Sequence, residues 1–193
     1  MHNRRIRGSA SLGNERDQRC ISMRIVGGKY AGRDLTSPAD FRVRPTAEKV
    51  RALLLDQLKA DLPGARVLDL FAGTGALGLE AISRGAKYAD FVETRPSSLH
   101  ALRANIGLLR VAQKCRVYKK DAVQFVEMLT EQRWEIAFAD PPYNSRMLDR
   151  AIAAWQATSF AKVLAVEFAV GQEHPAPDYR HTIDDTTIAI YRA

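Results

Sequence analysis

The chain predicts an α/β fold: a parallel sheet with helices on both faces, preceded by a small β-hairpin and helix. Three observations carry this. From Arg66 onward, short apolar runs alternate with stretches of helical period. The first run, Arg66 to Phe71, leads through Ala72-Gly73-Thr74-Gly75-Ala76-Leu77-Gly78 into a helix, the strand–glycine turn–helix unit that receives adenine-containing ligands. Acids follow the next runs: Glu93, Asp121 and Asp140.

In order, residues 1–22 hold few large apolar residues and no periodicity, and read as a disordered extension. Residues 24–35 read as a hairpin around Gly27-Gly28-Lys29, or as a longer ribbon bent at Gly32. Pro38 and Pro45 bracket a loop, Thr46 can cap a helix, and Val50, Leu53, Leu54 and Leu58 form its apolar stripe. Strands are expected at 66–71, 88–93, 116–118, 136–139 and 163–168, with Trp134 opening the fourth. Helices are expected at 76–84, 97–110, 122–131 and 146–157. Residues 180–192 read as a hairpin turning at Asp184-Asp185, which makes the last strand antiparallel. The divisions are therefore 1–22, a basic hairpin and helix at 23–62, and the sheet domain at 63–193.

Composition narrows the function. The chain has 193 residues and 46% apolar content, the size and make-up of one globular core. It has no apolar run of about 18 residues to span a membrane and no apolar segment of secretory type. Cys20 and Cys115 lack ligand spacing and the four histidines are scattered, so neither a disulfide framework nor a metal site is expected. Charge is uneven: residues 1–65 carry 13 Lys/Arg against 7 Asp/Glu, whereas residues 66–193 carry 16 against 15. Arg24, Lys29, Arg33, Arg42 and Arg44 crowd the ordered-looking part of the basic third, and a polyanion such as RNA would explain them.

Asp140-Pro141-Pro142-Tyr143, after the apolar run Ile136–Ala139, points to chemistry. An ionised carboxylate only accepts hydrogen bonds, and two prolines leave carbonyls without competing N–H groups. Together they can take both hydrogens of an exocyclic amine and turn its lone pair toward an electrophile. Tyr143 offers a ring on which an unstacked base can rest, returning ~1–3 kcal/mol against an unstacking cost of a few kcal/mol. A proline-bounded loop with an incidental tyrosine is the plain alternative. Gly73 and Gly75 let a ligand approach the backbone, and Glu93 stands about 20 residues on, the offset of an acid that grips ribose hydroxyls. Asp69, inside the strand before the glycines, would repel a pyrophosphate but suit a cationic ligand. S-adenosylmethionine meets both demands, with Asp121 accepting from its adenine amine, capping the next helix, or doing both at once. Trp134, Trp155, Tyr118 and Phe125 read as core, and Glu167 as an acid behind the site.

These stretches carry a resemblance. Met23-Arg24-Ile25-Val26-Gly27-Gly28-Lys29-Tyr30-Ala31-Gly32-Arg33, Arg44-Pro45-Thr46, Val67 through Ala81, Phe91-Val92-Glu93, Asp121-Ala122 and Asp140-Pro141-Pro142-Tyr143 look like the RsmD family of small-subunit ribosomal RNA guanine-N2 methyltransferases, over residues 23–193. The opening segment and Arg-Pro-Thr are particular to that family. The glycine loop and Asp-Pro-Pro-Tyr are shared with other amino-methyltransferases, including DNA adenine-N6 enzymes. The chain departs from the pattern at Ala52, Leu55 and Thr94-Arg95, and its last third is short. Because the resemblance starts at Met23, residues 1–22 read as a leader or an upstream start.

The resemblance implies a Rossmann-like, seven-stranded class I methyltransferase sheet. It implies S-adenosylmethionine held by Asp69, Phe71, Ala72, Gly73, Thr74, Gly75, Glu93, Thr94, Asp121, Ala122 and Asp140, with no metal. Asp140, Pro141, Pro142 and Tyr143 would be the catalytic residues. The partner would be ribosomal RNA in the assembled or assembling small subunit, met by a cytoplasmic monomer. A DNA adenine-N6 methyltransferase and a non-catalytic RNA-binding assembly factor are the alternatives.

Overall fold

The computed structural model of the protein describes residues 23–37, 48–143 and 145–193. The extension 1–22, the expected cap Thr46, and Arg42 and Arg44 lie outside the described residues. The elements are β1 (Met23–Arg24), β2 (Asp34–Leu35), α1 (Glu48–Gln57), β3 (Arg66–Leu70), α2 (Ala76–Ser83), β4 (Tyr88–Val92), α3 (Pro96–Leu108), β5 (Cys115–Tyr118), α4 (Ala122–Glu127), β6 (Trp134–Ala139), α5 (Met147–Thr158), β7 (Ala161–Ala169), β8 (Tyr179–Ile183) and β9 (Thr186–Arg192).

Seven strands form one sheet in the order β5-β4-β3-β6-β7-β9-β8. The first five run parallel, and β9 is antiparallel to both β7 and β8. Alternate residues of each strand go to opposite faces. Val67, Phe91, Ile136, Phe138, Val163 and Ile188 join a core with α1 and α2. Leu68, Leu70, Val92, Ala137, Leu164 and Val166 join one with α4 and α5. Coverage on both faces explains why β6 and β7 read as continuous apolar runs. Trp134 and Trp155 are buried as expected, their indoles donating to Asp90 Oδ2 (2.9 Å) and to the Ala161 carbonyl (2.7 Å). Tyr118 and Phe125 are half-buried, their rings 5.1 Å apart against the α4–α5 core.

Two expectations change in detail and one gains it. The hairpin expected around Gly27-Gly28-Lys29 forms, with a loop that includes a 3-10 turn at Gly28–Tyr30. Pairing of β1 with β2 continues through Ile25 N–H to Arg33 O (2.9 Å) and Gly32 N–H to Ile25 O (2.8 Å), leaving residues 26–31 as a loop. Helix α4 stops at Glu127 rather than 131. Its apolar spacing continues to buried Leu129, but the chain must turn back so that Arg133 and Trp134 can donate to Phe160 O. The boundary at 62/63 runs through a continuous core, because Met23, Ile25, Leu35, Val50, Leu54 and Leu55 pack in one cluster with Leu79 and Phe91.

What seats the ribbon is a buried carboxylate. Glu80, fully buried in α2, accepts from Val26 N–H (2.7 Å) and Gly27 N–H (2.6 Å). Arg84 Nε lies 3.1 Å and Arg51 Nε 3.6 Å from the same group. Arg51, also fully buried, donates to Arg24 O (2.6 Å), and Arg84 pairs with Asp56. Gly28 has φ +79°, and a Cβ there would lie 2.1 Å from Ser83 O. The paired glycines are thus a docking requirement against the end of α2.

Candidate active site

Strand register sets the site. Leu70 pairs with Val92 and Ala139, Val92 with Tyr118, and Ala139 with Val166. One residue further on, Phe71, Glu93, Asp140 and Glu167 therefore share one row at the carboxyl edge of the sheet. The strand order reverses between β3 and β6, and ligands of open α/β sheets bind at such a reversal. The glycine loop leaves β3 there and Asp140-Pro141-Pro142-Tyr143 leaves β6 beside it.

The loop is held from behind. Phe71, Gly73 and Gly75 all have positive φ, at 60°, 55° and 80°. A Cβ at Gly75 would lie 2.3 Å from Leu102 Cδ1, and one at Gly78 would lie 2.4 Å from Phe91 Cε1. Packing therefore requires glycine at both positions. At Gly73 a Cβ meets only Phe71 O, 3.9 Å away, so this glycine faces open space. Ala72 N–H donates to Val92 O, and Gly75 N–H to Ala72 O. Thr74 is buried, its hydroxyl 3.3 Å from Met23 Sδ and its carbonyl accepting from Asn105 Nδ2 (3.0 Å). Its side chain therefore faces the ribbon and not the edge. Asn105 also bonds both the N–H and the carbonyl of Thr36. Sequence reasoning missed it; a lone Asn beside Leu102, Ile106 and Leu109 on an apolar helix face was the available signal.

The acids differ in their work. Asp69 is buried and its Oδ2 accepts from Gly78 N–H (2.9 Å). Burial pushes its carboxyl well above the ordinary range against that hydrogen bond, and the charges of Asp140 and Glu93 push the same way. Asp69 thus holds the start of α2, a role the sequence reading did not assign. Glu93 is buried; Oε2 accepts from Gly73 N–H (2.9 Å), and Oε1 from Thr94 N–H (2.7 Å) and Arg95 N–H (2.8 Å). Three bonds on about four lone-pair sites leave Oε2 room for one more donor. Asp121 caps α4, Oδ1 accepting from Gln124 N–H (2.9 Å), with Ala122 buried behind it. The capping alternative thus holds.

In the second loop Pro141 is buried and Asp140 and Tyr143 are half-buried. The Pro142 carbonyl accepts from Ser145 Oγ (2.8 Å). This hydroxyl donor is not part of the sequence reading, which concerns only the N–H groups that the prolines lack. Tyr143 Oη donates to Glu167 Oε1 (3.0 Å) and lies 3.0 Å from Thr186 Oγ1. Burial, with the neighbouring Glu167 charge, pushes the phenol up to about 12. Glu167 is buried, as befits an acid behind the site. Thr186 went unread, because its place follows only from the hairpin register. Arg24, Lys29 and Arg33 are exposed, with Arg24 Nε 3.2 Å from Glu48 Oε2. Among the described residues no cluster of three metal-ligating side chains occurs, and no helix is long and apolar enough to cross a membrane.

Five parallel strands, an antiparallel seventh strand and a glycine loop at the reversal define a Rossmann-like class I methyltransferase fold. The solved chain yhhF from Escherichia coli shares it at a TM-score of 0.76 and 30% identity, over 89% of this chain and 97% of that one. A 16S rRNA N2 G1207 methyltransferase (RsmC) of T. Thermophilus, solved with AdoMet and guanosine, shares the fold at 0.62 and 20% identity, over 89% of this chain and 49% of that one. The family described as conserved hypothetical protein 95 matches residues 23–184. Ribosomal RNA small subunit methyltransferase D of Escherichia coli (strain K12) is 37% identical over 130 residues, 67% of this chain and 65% of that protein. The chain belongs to this family, the RsmD family.

Proposed function

We propose that the protein is an S-adenosylmethionine-dependent methyltransferase acting on the exocyclic N2 amine of a guanine in small-subunit ribosomal RNA. One observation carries the reading: the amine-gripping loop after β6 and the glycine loop after β3 leave adjacent strands at the same edge. The name of the Escherichia coli relative supports ribosomal RNA as the substrate class.

The residues fit the donor. Burial raises the Asp69 carboxyl, the charges of Asp140 and Glu93 push it the same way, and a cationic ligand relieves the repulsion among the three. The spare site on Glu93 suits a ribose hydroxyl, and open Gly73 admits the ligand to the backbone. Phe71, Ala72, Thr94, Asp121 and Ala122 line the same edge. When bound, S-adenosylmethionine supplies an electrophilic methyl. Asp140 and the Pro141 carbonyl accept from the guanine amine and aim its lone pair, while the Tyr143 ring holds the base. The amine loses its proton after the C–N bond forms, so no strong base is needed, and orientation supplies most of the acceleration. Exposed Arg24, Lys29 and Arg33, together with Arg42 and Arg44, would meet phosphates, and the enzyme would act as a cytoplasmic monomer.

The test offers labelled S-adenosylmethionine with unmodified small subunits, their naked RNA, or adenine-rich DNA, followed by mass spectrometry of nucleosides. N2-methylguanosine is expected from an RNA acceptor. N6-methyladenine in DNA would replace the substrate, and donor binding without transfer to any acceptor would make the protein an assembly factor.

A further inference from the structure

We infer that Glu167 and Thr186 are positioning residues that set the plane of the Tyr143 ring, and that the antiparallel C-terminal hairpin delivers one of them to the active site. The inference rests on the methyltransferase reading above and extends it to two residues outside both loops.

The geometry is specific. Tyr143 has one hydroxyl proton, donated to Glu167 Oε1 at 3.0 Å. For the Thr186 hydroxyl proton the phenolic oxygen, also 3.0 Å from Oγ1, is the nearer of two partners, with Asp185 Oδ1 at 3.3 Å. Thr186 donates to the phenolic oxygen when Tyr143 gives its own proton to Glu167. A phenolic C–O–H group prefers the plane of its ring through conjugation, so two partners on one oxygen restrain the ring axis and also its rotation about that axis. Ring plane is the variable that base stacking depends on.

The two anchors come from rigid, separate elements. Glu167 lies inside the nine-residue β7, in the row that contains Asp140, and pairs with Ile188. Thr186 is the first residue of β9, fixed by pairing with Ala169 on β7 and Ile183 on β8. Both are about 4% exposed. Within the loop carrying Tyr143, Ser145 Oγ donates to the Pro142 carbonyl. Burial that pushes the phenol up to about 12 keeps it a donor at any working pH. Tyr143 thus acts as a ring held at its far end, not as a base.

The test compares Tyr143→Phe, Glu167→Ala, Glu167→Gln and the double variant Tyr143→Phe/Glu167→Ala with wild type. It reads kcat and KM on the acceptor that wild type methylates, donor affinity by calorimetry, and Tm. A hydrogen bond to a charged group governs ring placement, so Tyr143→Phe and Glu167→Ala should each lower kcat by between about tenfold and about a hundredfold. Donor affinity should not change. Glu167→Gln keeps an acceptor and should recover most of the loss. The double variant should be no slower than Tyr143→Phe alone, since the hydroxyl through which Glu167 acts is already gone. Multiplicative losses in the double variant, or a Tyr143→Phe enzyme as fast as wild type, would overturn the inference. If Glu167→Ala does not fold, Tyr143→Phe and Glu167→Gln still decide it. A wild-type enzyme that methylates no acceptor would instead refute the proposed function, and this inference with it.

Discussion

At the scale of single residues, Asp69 combines a structural hydrogen bond with a charge it can ill afford to carry. In the folded state burial raises its carboxyl well above the 3.8 of an ordinary aspartate. Below that value both folded and unfolded chains are protonated. As pH rises past it, the unfolded chain releases its proton while the folded one keeps it, so stability falls until pH passes the folded value. Asp69→Asn keeps an acceptor for Gly78 N–H and removes the titration. The stability gap between variant and wild type in urea should therefore widen from pH 4 upward, with Glu93 and Asp140 common to both; a gap independent of pH would show an unperturbed carboxyl. Asp140 and Tyr143 give a second contrast. Asp140→Ala should abolish methyl transfer and, through the shared field at Asp69, weaken donor binding as well. Tyr143→Ala should cost ~1–3 kcal/mol in RNA engagement and leave donor affinity intact, measured by titration of each ligand separately. A Tyr143→Ala enzyme with wild-type RNA affinity would remove the stacking role. Asp140 and Tyr143 were legible because Asp-Pro-Pro-Tyr follows a strand directly. Asp69 was legible as an acid near the site, but not as the acceptor that fixes Gly78, because a one-residue alternation in β3 decides which face it takes.

Among elements, the joint between the N-terminal ribbon and α2 was the least visible in the sequence. All eight residues of α2 are buried, so no polar stripe marks a face, and Glu80 read as one more helical residue. A single acid in an otherwise uncharged buried helix was the clue. Its partner Arg51 sits in α1 among Val50, Leu54 and Leu55, where it resembles a solvent-facing position until the ribbon is laid over it. Desolvation lowers the Arg51 guanidinium, with Glu80 the chief opposing charge. Removing one member of a buried pair leaves the other uncompensated. Glu80→Ala should thus lose about 3–5 kcal/mol by denaturant unfolding. Pairing Glu80→Gln with Arg51→Met should recover much of that, since the amide still accepts one of the Val26 and Gly27 N–H groups and no charge stays buried. Equal losses in the single and paired variants would mean that the backbone bonds, not the charges, hold the ribbon. Since Ser83 Oγ also accepts from Tyr30 N–H (2.9 Å) and donates to Gly27 O (2.6 Å), the same element serves two ends. Its start faces the ligand edge and its finish carries the ribbon.

For the whole molecule, the question is whether the basic N-terminal third is a unit of its own. Charge asymmetry argues for a division near residue 62, and composition offers no contrary signal. Packing is a long-range property that composition cannot carry, and it argues the other way. Met23, Ile25 and Leu35 of the ribbon and Leu54 and Leu55 of α1 share a core with the sheet residues Val67, Phe91 and Phe138. Arg192 at the far end of β9 reaches Asp61 through two bonds of 3.0 and 2.9 Å, closing the chain's end against the segment after α1. The opposite face holds Trp134 and Trp155 in the second core. One sheet separates the two cores, so losing either exposes the other face of the same strands, and a cooperative transition follows. Tryptophan fluorescence, which reports the α4–α5 face, and far-UV circular dichroism should trace coincident urea curves. The decisive probe is the ribbon itself. Hydrogen exchange at the Ile25 and Gly32 amides, each bonded across the ribbon, should proceed with a free energy close to that of global unfolding. Exchange at a small fraction of that value, with the two optical curves still coincident, would show a ribbon that opens independently on an intact sheet. The basic third would then be a separate RNA-facing unit after all.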